Sequence, residues 1–295
     1  FTKSGVVETP AFLPVVNINK PLIAPSELQK IFGFDALMTN AYLIGKGLSE
    51  DSESDVHRIL GYSGIVQTDS GGYQVLRYGR VEASPEDIVA VQESLNVDIA
   101  TVLDEPTGVK ANKARAIETV RTTIRNAHIS LRARKRDDIV WVGPVQGGLY
   151  YDLVRSCSSK ISNMGFEMLA LGSPVELMEG YQYRRLIEMG IAAKKTASES
   201  KPFHFFGAGH PMLFALLVAL GYDLFDSASY ALYAYDNRYV TPEGTFLLKD
   251  LRYLPCRCQV CSRLSAEEIR EMNSRERTKL LASHNLYSIR AEMDN

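Results

Sequence analysis

The sequence predicts an α/β fold, a TIM (β/α)8 barrel with a small cysteine-rich subdomain inserted before its last helix. Three observations carry this expectation. Eight apolar runs succeed one another without regular polar alternation, as strands buried on both faces of a parallel sheet do. Segments of helical periodicity fill most intervals, and the runs recur at roughly 25–40 residues, the length of one βα unit. Almost every run ends on an acid, an amide or a glycine. A doubly wound open sheet is the rival architecture. It would place a glycine-rich phosphate loop after the first strand, where this chain reads Asn17-Ile18-Asn19-Lys20-Pro21.

In order, the runs are Pro10–Val16, Ala36–Thr39, Gly64–Thr68, Val97–Leu103, Ile139–Val145, Phe166–Leu171, Pro202–Gly207 and Tyr222–Phe225. The clearest helix is expected over Lys113–Arg134. Its buried stripe would be Ile117, Val120, Ile124, Ala127 and Leu131, with Arg115, Arg121, Arg125 and Arg132 on the solvated face. Past the eighth run, Ser265-x-x-Glu268 is a capping box that starts a short helix. A further helix near Arg275–Glu292 carries His284 and is read as the last helix of the barrel. The expected division is therefore a barrel over residues 1–250, then the subdomain and final helix over 251–295.

Chemistry is expected where the runs end, because barrel enzymes work at the C-terminal rim of their strands. Asn40 lies after the second run and Asp69-Ser70-Gly71-Gly72-Tyr73-Gln74 after the third. Asp104 comes after the fourth, Gln146-Gly147-Gly148 after the fifth and Gly172-Ser173 after the sixth. The seventh leads to Gly207-Ala208-Gly209-His210 and the eighth to Asp226. Three carboxylates, two amides and several glycines converging on one mouth read as an active site, since a purely structural barrel needs none of them there. His57, His128 and His204 are read as structural, and His210 as lining the rim without a catalytic part.

Composition narrows the partners. With 33 Lys+Arg against 35 Asp+Glu the net charge is -2, so any nucleic-acid contact must use a local patch. Arg252, Arg257, Arg263, Arg275, Arg277 and Lys279 are one such cluster. The longest apolar stretch, Met212–Leu220, is too short to span a bilayer. No charged-then-apolar leader precedes the first strand, so a cytoplasmic protein is expected. The chain starts at Phe1, which suggests that a few residues precede it in the natural protein.

Three of the four cysteines, Cys256, Cys258 and Cys261, fall within six residues, and His284 lies one helix later. Three thiolates and one imidazole suit tetrahedral Zn2+. All four positions would be filled by protein, which leaves none for water and makes the zinc structural. It would pin the inserted loop to the final helix. Cys157 stands apart and reads as a small packed apolar residue.

From residue types alone, two carboxylates across a pocket suit glycosidic chemistry, one attacking an anomeric carbon while the other moves a proton. Asp104 could accept two N–H bonds from an edge such as N1/N2 of guanine. Gln146 and a backbone N–H near Gly172 could complete the perimeter of a purine, with Tyr73 stacked on its face. Glycines at 71, 72, 147, 148 and 172 would let backbone approach a flat ligand. Phosphate-binding barrel chemistry is the competing reading.

Taken together, Thr68-Asp69-Ser70-Gly71-Gly72-Tyr73-Gln74, Leu224-Phe225-Asp226-Ser227 and the Cys-x-Cys-x-x-Cys…His set resemble the tRNA-guanine transglycosylase family. The resemblance runs along essentially the whole chain. Phe206-Gly207-Ala208-Gly209-His210-Pro211, Ser229–Ala234 and Tyr239–Gly244 resemble its archaeal branch. That resemblance implies exchange of a guanine in the tRNA D-arm (position 15) for 7-cyano-7-deazaguanine, preQ0, the first step of archaeosine biosynthesis. It implies Asp226 as the nucleophile of a covalent ribosyl-aspartyl intermediate and Asp69 as the general acid/base, two assignments that could be exchanged. It implies Asp104, Gln146 and Gly172, with Ser70 and Ser173, as substrate contacts, and Tyr73 as the stacking residue.

The chain departs from the family pattern in two places. After Gly172 it reads Ser173-Pro174-Val175, where a second glycine and small apolar residues are expected, so the pocket for the 7-substituent differs. The resemblance also implies C-terminal RNA-binding domains ending in a PUA domain, which are not among residues 1–295. Those domains are expected either to be missing from the sequence or to sit on another polypeptide, and a partner is expected for tight tRNA binding. The resemblance also allows a homodimer. Rival readings are a queuine- or preQ1-type tRNA enzyme, a transglycosylase that inserts a deazaguanine into DNA, and a non-catalytic partner subunit.

Overall fold

The computed structural model describes residues 1–45, 55–71 and 83–295. Eight strands form one parallel sheet: β1 (Ala11–Pro14), β2 (Ala36–Asn40), β3 (Ile65–Asp69), β4 (Ile99–Thr101), β5 (Val140–Val145), β6 (Met168–Leu171), β7 (Phe203–Phe205) and β8 (Leu224–Ser227). Their spatial order is β1-β8-β7-β6-β5-β4-β3-β2. A parallel bridge between Val15 and Met38, with the Val16 N–H donating to Met38 C=O at 2.8 Å, joins the two ends of the sheet and closes the barrel. Each expected apolar run overlaps one strand. β2, β3 and β8 continue past the apolar residues, so Asn40, Asp69 and Asp226 are strand residues held by the sheet rather than by loops.

Side chains alternate across each strand and divide the core into two parts. Leu13, Ile65, Ile99, Val142, Met168 and Leu224 fill the barrel interior. Phe12, Val66, Ala100, Phe203, Phe205 and Phe225 face outward into the layer between sheet and helices. Burying one such aromatic stabilises the fold by about 1.5–3 kcal/mol, which is why the runs are apolar on both faces.

The helix Lys113–Ala133 forms where expected, N-capped by Asn112, whose side chain accepts the Arg115 N–H. Its buried face is rotated from the expected aliphatic stripe. Ala116, Thr119, Val120, Thr123, Ala127 and Ser130 are buried, whereas Ile117, Ile124 and Leu131 are half-buried at the flanks. Small residues let the helix approach the sheet closely, and the hydroxyls of Thr119 and Thr123 are satisfied. Thr119 Oγ1 donates to Ala116 C=O at 2.9 Å, and Thr123 Oγ1 accepts the Glu105 N–H at 3.0 Å. Arg121, Arg125 and Arg132 lie off the buried face, as expected.

After β8 come the helix Ser229–Tyr235 and an antiparallel hairpin, β9 (Arg238–Thr241) and β10 (Gly244–Leu247), which the apolar pattern does not suggest. The capping box at Ser265 and Glu268 starts the helix Ala266–Glu271. The last helix, Ser274–Met293, buries Leu281, His284, Asn285, Leu286 and Ile289. Asn285 locks it in place, accepting the Val240 N–H at 3.0 Å and donating to Tyr230 C=O at 3.1 Å.

Candidate active site and metal centre

The alternation that builds the core also aims the acids. Leu224 points into the barrel, so Asp226, two residues on, points into it nearer the rim. Ile65, Gln67 and Asp69 repeat the pattern on β3. The barrel interior thus passes from aliphatic at its foot to polar at its mouth. Asp226 is 7% exposed, and its Oδ1 accepts the Gly207 N–H at 2.9 Å. Gly207 has φ +75°, and a Cβ there would lie 2.4 Å from Val175 Cγ2, so only glycine presents that donor.

Asp69 is partly buried at the surface of the mouth yet ringed by protein. Its Oδ2 accepts from Asn40 Nδ2 at 2.9 Å and its Oδ1 from the Gly71 N–H at 2.5 Å. Burial pushes its carboxyl up to about 6. The two hydrogen bonds work against that rise, and the charge of Asp226 adds to it. Asp104 is pushed up to about 7, chiefly by burial, with the Gln146 bond opposing and the charge of Asp69 contributing. Asp226 therefore acts electrostatically on Asp69, and Asp69 on Asp104. The three expected carboxylates share one mouth.

Gln146 bridges to the other expected contacts. Its Nε2 donates to Asp104 Oδ2 at 2.5 Å, while its Oε1 accepts the Thr107 N–H at 3.0 Å and Ser173 Oγ at 2.8 Å. A Cβ on Gly172 would fall 2.1 Å from Gln146 Nε2, so this glycine makes room for the amide. Ser173 stands at φ +65°, a strained conformation for a non-glycine residue, and its hydroxyl bond to Gln146 offsets part of that strain. Ser70 is buried next to Asp69. Tyr73, with Gly72 and Gln74, lies outside the described residues. At Gly147 and Gly148 the space a side chain would need is filled by Val154 and Thr107, so these two glycines serve packing inside the chain.

Four groups at the mouth have roles that the residue pattern does not reveal: Asn40 as partner of Asp69, Thr107 and Gly207 as backbone donors, and His204. His204 is fully buried, with Nε2 3.0 Å from Asp226 Oδ1. A faint signal for it exists. In Phe203-His204-Phe205 the flanking phenylalanines face the helices, so the histidine must face the barrel interior. His57 pairs with Asp98 at the barrel foot, Nε2 to Oδ2 at 3.2 Å. His210 hydrogen-bonds Thr245 of β10 at 2.8 Å, accepts the Met212 N–H on Nδ1, and burial pushes it down to about 4. Cys157 is fully buried, and burial pushes its thiol up to about 12.

Cys256, Cys258, Cys261 and His284 offer ligand atoms that all lie within 4.8 Å of one another and could hold a metal ion. Cys258 Sγ is 3.5 Å from Cys261 Sγ and from His284 Nδ1, and Cys261 Sγ is 3.4 Å from the same nitrogen. A tetrahedral ion with metal–sulfur bonds of about 2.3 Å and metal–nitrogen bonds of about 2.0 Å needs ligand separations of about 3.5–3.8 Å, so the donor set fits. The imidazole is held for this purpose. Its Nε2 donates to Val240 C=O at 2.9 Å, which leaves Nδ1 bare, and Tyr239 stacks on its face at 3.6 Å.

In the basic cluster, Arg277 is committed to Asn237 Oδ1, Arg270 C=O and Met272 C=O, and Lys279 to Glu27. Arg252, Arg257, Arg263 and Arg275 lie outside the buried core. Among the described residues no helix is long and apolar enough to cross a membrane.

Comparison with known proteins agrees with this geometry. The family model of queuine tRNA-ribosyltransferase, TGT, matches residues 1–295. The tRNA-guanine(15) transglycosylase of Aeropyrum pernix is 48% identical over 295 residues, 99% of this chain and 57% of that protein. Those of Pyrococcus abyssi and Sulfolobus acidocaldarius are each 46% identical, over 98% and 99% of this chain and 49% and 59% of their own lengths. The chain spans about half the length of the curated relatives it matches. With the family model matched from end to end on a barrel of this kind, the chain belongs to the queuine tRNA-ribosyltransferase (TGT) family.

Proposed function

We propose that the chain is the catalytic part of a tRNA-guanine(15) transglycosylase, which exchanges a D-arm guanine for preQ0 as the first step of archaeosine biosynthesis. One observation carries the reading: Asp226 and Asp69 share a mouth with the linked polar groups of Asp104 and Gln146, beside Gly172. The names of the relatives support the tRNA substrate and the position.

In this reading the target nucleotide is extruded from its stack into the mouth. The Asp226 carboxylate attacks C1′ of the ribose, the C1′–N9 bond breaks, and its electron pair leaves with guanine. Asp69 supplies a proton to the departing base, a task suited to a carboxyl pushed up to about 6. The incoming base returns a proton to Asp69 and attacks C1′ from the same side. The ribosyl–aspartyl bond then breaks, which restores the carboxylate. Asp104 and Gln146 read the purine edge, with Ser70, Gly172 and Ser173 shaping the pocket and Tyr73 stacking on the base. The covalent adduct holds the ribose while bases exchange, so the RNA backbone stays intact.

The Cys256–Cys258–Cys261–His284 set would hold a zinc ion, which when bound ties the loop after residue 251 to the last helix and leaves catalysis to the barrel. Residues 1–250 would form the catalytic barrel and 251–295 the metal subdomain with its helix. The proposal extends to a cytoplasmic location, a PUA-type RNA-binding domain outside these residues, and a homodimer as an allowed assembly.

The test is incubation with labelled guanine and unmodified tRNA transcripts, with Asp226→Ala as control. Label is expected in tRNA bearing guanine at position 15 and absent when that position is adenine. Label that tracks a different position, or that enters DNA instead, would overturn the assignment. Elemental analysis is expected to return one zinc per chain.

A further inference from the structure

We propose that His204 is the positioning residue for the Asp226 carboxylate: a neutral imidazole, protonated on Nε2, that holds Oδ1 and leaves Oδ2 to meet the ribose. The proposal rests on the reading of Asp226 as nucleophile.

The observations are geometric. His204 sits on β7 with its ring turned into the barrel interior, fully buried. An imidazole placed there without partners would be strongly destabilising, so its two nitrogens need partners. Nε2 lies 3.0 Å from Asp226 Oδ1 and has no hydrogen-bond partner of regular alignment among the described residues. The separation is that of a hydrogen bond while the angle is not, and a modest turn of the carboxylate brings the two into line. On the other side, Nδ1 lies 3.3 Å from Gln67 Nε2, which also reaches Thr101 Oγ1 at 3.4 Å. With the Gln67 NH2 turned toward it, Nδ1 accepts and the ring proton sits on Nε2, facing Asp226. The opposite tautomer would set a bare nitrogen lone pair against a carboxylate.

Oδ1 thus faces two donors, the Gly207 N–H at 2.9 Å and the imidazole. That arrangement assigns the two oxygens different work. A lone pair of Oδ2 forms the bond to C1′, and the C1′–N9 pair departs with the purine, which takes its proton from Asp69. In the adduct Oδ1 is the ester carbonyl oxygen and keeps both donors. When the second base attacks, the C1′–Oδ2 pair returns to the carboxylate. His204 neither gives nor takes a proton at any point. Its contribution is a fixed dipole and a fixed carboxylate plane, set before substrate arrives.

Two arms test this on the whole chain. In protein carrying 15N-labelled histidine, the His204 resonances, assigned by their loss in His204→Gln, are expected to show the neutral Nε2–H tautomer at pH 7 and to shift in Asp226→Ala. A proton on Nδ1, or resonances indifferent to Asp226→Ala, would overturn the proposal. In guanine exchange with unmodified tRNA, His204→Leu is expected to lower kcat by about 30- to 100-fold while KM for tRNA stays within about threefold. His204→Gln, whose amide N–H reaches the Nε2 position, should recover to within about tenfold of the parent, whereas His204→Asn, too short to reach it, should not. Should the leucine variant fail to fold, the Gln and Asn variants decide, and equal kcat for the two would sink the idea. Absence of exchange in the unsubstituted protein, with the Nε2–H signature in place, would remove the transglycosylase reading and leave the His204–Asp226 pair standing.

Discussion

Asp98 and Asp104 flank the same short strand, β4, one at the foot of the barrel and one at its mouth. Both are buried carboxylates, and they behave in opposite ways. Burial pushes Asp98 up, but His57 Nε2 at 3.2 Å, the Ser4 N–H at 3.2 Å and the Val66 N–H at 2.8 Å outweigh it and leave the carboxyl below its ordinary value. Among the described residues Asp104 has one side-chain donor, Gln146, and a neighbouring charge on Asp69, so burial prevails and pushes it to about 7. Donor count decides between the two, because each N–H aimed at a carboxylate stabilises the charged form by a similar amount. The foot is a joint that ties Ser4, β3 and the helix Val56–Leu60 to one carboxylate. At the mouth, burial outweighs the donors on Asp69 and Asp104, the contrast that the proposed reactive end calls for.

The largest effect that could break this comparison comes from removing one carboxylate at each end. Asp226→Ala is expected to abolish the covalent RNA adduct and to reduce exchange by about 10^4-fold or more. Asp98→Asn is expected to leave kcat within about threefold of the parent while destabilising the fold by about 2–3 kcal/mol, since it weakens a buried network of donors. Denaturant melts and single-turnover trapping on both proteins check this together. An Asp98→Asn protein that folds normally but exchanges nothing would erase the distinction between joint and site.

The barrel is legible in the sequence because burial on both faces leaves a simple mark: runs such as Phe166–Leu171 and Ile139–Val145 have no polar face to confuse with a helix. The rim acids are legible for the complementary reason. A carboxylate ending an apolar run has few places to go, and Asp69 and Asp226 lie where that logic puts them. His204 escapes because one polar residue between two phenylalanines gives no sign of which strand it will face. Its partner Asp226 is 22 residues away in sequence and adjacent only across the β7–β8 pairing. Asn40 is visible as a rim amide, but its bond to Asp69 depends on the register Asn40↔Asp69, which only the sheet fixes. The buried face of Lys113–Ala133 departs from the expected stripe because periodicity weights large aliphatic residues. Close packing against the sheet instead selects Ala116, Thr119 and Ala127. The metal set is legible outright, since Cys256, Cys258 and Cys261 are near neighbours and His284 is carried one helix on.

A smaller effect sharpens the electrostatic side. If Asp69 protonates the departing guanine, the form that works is the acid, and burial has raised its carboxyl to about 6. Release of guanine in a single turnover should therefore be flat below about pH 6 and fall by up to tenfold per unit above it. Asp69→Asn should remove most of the rate and the pH dependence with it. A rate that climbs through pH 6–8 would instead make Asp69 the base for this half-reaction and send the assignments of Asp69 and Asp226 back to be exchanged.

The smallest effect is one of stability, and its sign separates foot from mouth. The unfolded Asp104 carboxyl titrates near 4, the folded one near 7, so between those values the folded protein binds the extra proton. Stability is then lost as pH rises through that window, and above about 7 the folded state carries the full penalty of a charged, poorly solvated carboxylate. Asp104→Asn removes the charge while keeping an oxygen that can accept from Gln146. Its Tm should match the parent near pH 4 and exceed it by about 2–6 °C at pH 8. Asp98 runs the other way. Its folded value is depressed, so its stabilising contribution is already present above about pH 4 and fades only as pH falls below that. Asp98→Asn should therefore melt below the parent at both pH 5 and pH 8. Opposite signs at pH 8 for the same chemical change, at two positions on either side of one strand, require that donor supply rather than burial governs these acids. Matching signs would mean that burial alone governs both.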